Sequence, residues 1–69
     1  MAFNYSKLLG KIKEVFKTQE KFAAAIGLSE RSLSLKLNNE VPWKQHEMIK
    51  SSELLGFPVD DIHLYFFEV

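Results

Sequence analysis

The 69-residue chain contains no cysteine, which removes disulfide staples and thiolate metal sites together. It has no apolar run near the roughly 18 residues that cross a bilayer. Residues 1–17 also lack the apolar centre of a secretory signal, so a cytoplasmic protein with no membrane partner is expected. Catalytic signatures are missing as well. There is no nucleophile elbow, phosphate loop or paired carboxylate site, and His46 and His63 have no acidic or thiol partner at ligand spacing. Asp60-Asp61 reads as a helix start. The expectation is therefore no enzyme, no metal and no cofactor. Basic residues run out at Lys50. All nine lie in residues 1–50 beside five acids, a balance of +4, whereas residues 51–69 carry only Glu53, Asp60, Asp61 and Glu68, a balance of −4. Zero net charge argues against a DNA binder, because phosphate neutralisation supplies much of the affinity. The separation into a basic and an acidic end argues the other way.

The chain does have the means to build a core: 46% of it is hydrophobic and nine residues are aromatic. A chain this short makes one domain, 1–69, and buries only about 60% of its unfolded surface. The central stretch is Thr18 to Asn38. Thr18 can cap a helix in which Phe22, Ala23 and Ile26 share a face, and Gly27 supplies the left-handed residue that ends it. Ser29 before Glu30 opens a second helix, with a carboxylate where the helix dipole favours one. Ahead of this pair, Asn4 or Ser6 can cap a helix running to about Phe16, with Leu8, Leu9, Ile12, Val15 and Phe16 as its buried stripe. Behind it, Asn38 and Asn39 tolerate left-handed conformations and should end the second helix of the pair. Pro42 then leads into a helix from about Trp43 or Lys44 to Leu55, with Met48, Ile49, Ser52 and Leu55 on one face, closed by Gly56. Pro58 and Asp60 open a last short helix with Ile62, Tyr65 and Phe66 inward. A strand pattern competes only weakly, at Leu64 to Val69, and Trp43 reads as a lid on the core.

Gln19, Phe22, Ala23, Ile26, Gly27, Leu28, Ser29 and Leu33 together resemble the helix-turn-helix pattern of the lambdoid phage repressor and Cro family. The physics suits it: Ala23 has only a methyl, so the second helix can cross close to the first, and Gly27 permits a short turn between them. The resemblance covers most of the chain and implies an all-α, five-helix, lambda-repressor-like DNA-binding domain with its motif at about 18–38.

It also implies a function. A Cro-like regulator binds double-stranded operator DNA through the major groove, with the N-terminal residues of the recognition helix nearest the bases. Leu33 and Leu37 point about 40° apart and define the core side of that helix, which leaves Leu35 opposite them and Arg31 and Asn38 within about 60° of it. Base contacts are expected from Ser29, Glu30, Arg31, Ser34 and Leu35. Arg31 can read guanine, Glu30 can accept from cytosine, and Leu35 can cover a thymine methyl. Phosphate contacts are expected from Gln19, Ser32, Asn38 and Lys44. Leu35 and Lys36 depart from the family, which usually has a polar residue at the first position and a buried apolar one at the second. One such domain reads a single half-site, so a homodimer on a pseudo-palindromic operator is expected. Leu64, Phe67 and Val69, apolar and without an obvious core partner, are the candidates for its interface. The alternative reading is a protein-interaction module, such as an antitoxin or an anti-repressor, that sets the acidic, aromatic end on a protein partner.

Overall fold

The Thr18 hydroxyl accepts the Lys21 N–H at 3.2 Å and the Ser29 hydroxyl accepts the Ser32 N–H at 3.0 Å, so each satisfies a donor that the first turn of a helix leaves free. The two helices so opened are α2 (Gln19–Ile26) and α3 (Glu30–Leu37). Gly27 ends α2 at φ +82°, and the Leu28 N–H reaches back to the Ala23 carbonyl at 2.9 Å. A side chain at Gly27 would be strained by that backbone even though the space around it is open. The computed structural model describes residues 2–69 and surrounds this pair with α1 (Ser6–Phe16), α4 (Gln45–Leu55), a 3₁₀ turn (Val59–Asp61) and α5 (Ile62–Phe66). The fold is thus all-helical with five α-helices, and no strand occurs among the described residues. No helix among the described residues is long and apolar enough to cross a membrane.

α2 lies at the centre, packed on α1, α3 and α4, and α5 closes the structure against α1 and α4. Leu8, Phe22 and Leu33 are wholly buried, joined by Ile12, Ala23, Leu55 and Phe66. The buried stripe of α1 is narrower than the pattern of apolar residues implies. Leu8 and Ile12 are buried and Phe16 is half-buried, whereas Leu9 and Val15, on the two flanks of that stripe, are 38% and 42% exposed. In α4 the inward face is rotated so that Ser51 and Ser52 are buried and Ile49 is exposed. Both hydroxyls bond within the helix, Ser51 Oγ to the Glu47 carbonyl and Ser52 Oγ to the Ile49 carbonyl, each at 2.7 Å. Small, internally satisfied side chains can replace bulky apolar ones where a helix approaches closely.

Ala23 is 2% exposed at the heart of the α2 packing. Ala23→Leu should overpack it and cost about 1–3 kcal/mol, read as a lowered melting temperature in thermal circular dichroism. An unchanged melting temperature would mean that the site has room the structure does not show.

Candidate functional site

Two surfaces contend for the function. The first is the face of α3. Ser29, Glu30, Arg31 and Asn38 are exposed, and Ser32, Ser34 and Leu35 are half-buried. Gln19 is exposed at the start of α2, and Lys44 is exposed as the residue preceding α4. Much of the polar capacity of α3 is used locally. Ser29 Oγ donates to Ser32 Oγ at 3.0 Å while accepting the Ser32 N–H, and Asn38 Nδ2 donates to Ser34 Oγ at 3.4 Å. Arg31 makes no ion pair among the described residues, but Glu30 precedes it, so the exposed ionic groups of α3 cancel. The other base on α3, Lys36, is buried at 4% exposure.

The burial of Lys36 is the feature the sequence did not lead us to expect. Its Nζ lies 2.9 Å from Glu47 Oε1, also buried, and donates to the Pro42 carbonyl at 3.0 Å. It sits 5.9 Å from the centroid of the Trp43 ring, close enough for a cation–π contact. Glu47 Oε1 accepts in addition the Lys44 N–H at 2.9 Å. Burial pushes the Glu47 carboxyl up, but the Lys44 N–H, the Lys36 ammonium and the nearby His46 together outweigh it and hold the group below its ordinary value. Lys36 thus keeps the inward position that an apolar residue usually fills, with a carboxylate brought in to match it.

The second surface is a cleft of about 470 Å³ at the other side of this pair, where the N-terminal segment, the α3–α4 connection and α5 meet. Its walls are aromatic. Phe67 meets Phe3 edge-on at 5.7 Å, Phe3 approaches Tyr5 at 6.4 Å, Tyr5 meets Trp43 at 6.5 Å, and Trp43 meets Phe66 at 5.0 Å. Tyr5, Trp43 and Phe66 are buried, while Phe3 and Phe67 are 37% and 48% exposed. Val41 and Val69 add exposed apolar surface nearby in the chain, Val69 at 73%. The Trp43 Nε1–H is buried and has no acceptor among the described residues, an unpaired donor in a wall of the cleft. Burial also pushes the Tyr5 phenol up.

A main-chain strap holds the cleft's near side. Asn39, at φ +63°, turns its amide onto the backbone of residue 3: the Phe3 N–H donates to Asn39 Oδ1 and Asn39 Nδ2 donates to the Phe3 carbonyl, both at 2.9 Å. The Asn4 N–H donates to the Glu68 carbonyl at 2.6 Å. Of the sequence candidates for self-association, Phe67 lines this cleft, Val69 follows it in the chain, and Leu64 is half-buried in α5. Among the described residues no group of histidine and acidic side chains could hold a metal ion.

The chain is matched over residues 1–69 by the family described as DUF739, protein of unknown function. Among solved structures it is similar to the modulator of repression (MOR) of the temperate bacteriophage TP901-1 from Lactococcus lactis. The two are 52% identical with a TM-score of 0.84, covering 97% of this chain and 90% of that one. No curated protein sequence matches. These findings correct the lambdoid repressor and Cro resemblance: the match lies with a modulator of repression and not with an operator-binding repressor. Sequence-specific reading of double-stranded operator DNA falls with it, and so does the homodimer on a pseudo-palindrome through Leu64, Phe67 and Val69 that such reading required. The physical reason is visible in the motif. Phe22, Ala23, Ile26, Gly27 and Leu33 specify how two helices pack, not what their outer face touches, and that face here offers Arg31 offset by Glu30.

Proposed function

We propose that this chain, which belongs to the DUF739 family, modulates repression by binding a phage repressor protein, not operator DNA. The similarity to a modulator of repression at 52% identity over 97% of the chain carries this reading. The aromatic cleft supplies the surface. Exposed aromatic rings that rim a buried aromatic wall are the usual anchors of protein interfaces, where a few such residues carry most of the binding energy. The cleft's C-terminal side belongs to the stretch with four acids and no base after Lys50. The lining of the cleft is itself uncharged; the acidic stretch that continues from it in the chain suits a partner that is itself basic in order to bind DNA, because complementary potentials favour encounter and register.

The test combines the purified chain, the repressor encoded by the same phage genome and its operator duplex. The chain alone should leave the duplex unshifted at concentrations where the repressor shifts it fully. It should co-sediment with the repressor and change how much operator the repressor occupies. A sequence-specific shift by the chain alone, with no complex between the two proteins, would overturn the proposal.

A further inference from the structure

We infer that the buried Lys36–Glu47 pair is a positioning element for the docking cleft, fixing the wall made by Pro42 and Trp43 so that a partner meets it already formed. The inference rests on the reading of the cleft as the docking surface. The chain between α3 and α4 has no regular structure of its own and is held in two halves. The upstream half is held by main-chain bonds, with the Asn39 N–H reaching the Lys36 carbonyl at 3.2 Å and the Glu40 and Val41 N–H groups reaching the Leu35 carbonyl at 2.9 and 3.3 Å. The downstream half is held by the ion pair. Lys36 Nζ takes the Pro42 carbonyl at 3.0 Å and lies 5.9 Å from the Trp43 ring centroid, and Glu47 Oε1 takes the Lys44 N–H at 2.9 Å. Three consecutive residues are thus tied to two charges that are themselves tied to each other at 2.9 Å.

An apolar pair of similar volume would fill the same space and release the burden of desolvating two ions, which is often neutral or favourable for stability. It could not grip a carbonyl on one side and an N–H on the other. What the charges add is therefore geometry: they select one path for residues 42–44, and that path sets the Trp43 ring against Phe66 and Tyr5. A preformed surface spares the partner the cost of ordering it.

The variant that separates position from stability is Lys36→Met with Glu47→Leu. It should stay folded and melt well above Lys36→Met alone, exchange the Lys44 amide hydrogen roughly tenfold faster or more, and bind the phage repressor at least about tenfold more weakly. Wild-type exchange at that amide, or wild-type affinity despite faster exchange, overturns the inference. Should the double variant fail to fold, Glu47→Gln takes its place. It keeps an oxygen for the Lys44 N–H while removing the charge, and unchanged exchange and affinity there overturn the inference equally. Phe67→Asp, measured alongside, tells the two readings apart. If it leaves repressor binding intact, the cleft is not the docking surface and that reading is what fails. If it removes binding while the ion-pair variants do not weaken it, the positioning role is what fails.

Discussion

Lys36→Met alone should lower the unfolding free energy by about 3–5 kcal/mol, because it leaves a buried carboxylate without its counter-charge. For a domain of this size, whose core supplies only about 3–5 kcal/mol net, that is enough to unfold much of the population at neutral pH. The two substitutions together should cost far less than Lys36→Met by itself, since an apolar pair carries no buried charge at all. Urea denaturation followed by circular dichroism measures both. The pH dependence gives an independent reading. In the wild type the Glu47 carboxyl is held below its ordinary value, so its contribution to stability is present above the unfolded value of about 4.3 and is lost as the pH falls through the folded one. In Lys36→Met the lowering by the ammonium is gone, so the folded value rises relative to the wild type, and the penalty shrinks as acid neutralises the carboxylate. The stability gap between wild type and variant should therefore narrow between pH 7 and pH 4. A gap that stays constant would mean that the pair contributes through packing and not through charge.

Phe66→Ala and Phe67→Asp, at neighbouring positions, should fail in opposite ways. Phe66 is 1% exposed and its ring lies 5.0 Å from that of Trp43. Truncating it should cost about 3–5 kcal/mol in lost burial and cavity and take binding down chiefly by unfolding the chain, with one ring of the cleft wall lost besides. Phe67 is 48% exposed, and its one aromatic-ring contact among the described residues is the edge-on meeting with Phe3. Replacing it with aspartate forfeits an aromatic pair worth about 0.5–1.5 kcal/mol, leaves the helical signal intact, and places a carboxylate where a partner's apolar group must dock. Repressor affinity should fall by 2 kcal/mol or more, roughly thirtyfold, in calorimetric titration of the folded variant. A folded Phe67→Asp that binds normally would move the interface elsewhere.

The elements were legible because local chemistry marks their ends. Thr18, Ser29, Gly27 and Gly56 each act within a few residues of themselves, and the caps fall where those residue types predict. The Lys36–Glu47 pair was not legible, since it joins two helices and depends on how they cross. The signals were a lysine three residues after Leu33, on the face that Leu33 and Leu37 define, and its departure from the buried apolar residue usual there in the family the motif resembles. The cleft draws on residues 3, 41–43 and 66–67, distant in sequence, so no spacing announces it. The functional expectation failed for a related reason. The residues that resemble a helix-turn-helix are those that make two helices pack, and a packing pattern is compatible with more than one outer face.

The grip of Asn39 on residue 3 is blind to the side chain it carries. Both bonds go to main-chain atoms, which every residue but proline presents alike. The strap therefore stays in register whatever non-proline residue stands at position 3, while the ring that residue carries packs separately, against Tyr5 and Phe67. A substitution at position 3 would thus reshape the rim of the cleft and forfeit the edge-on contact with Phe67, worth about 0.5–1.5 kcal/mol, without breaking the strap.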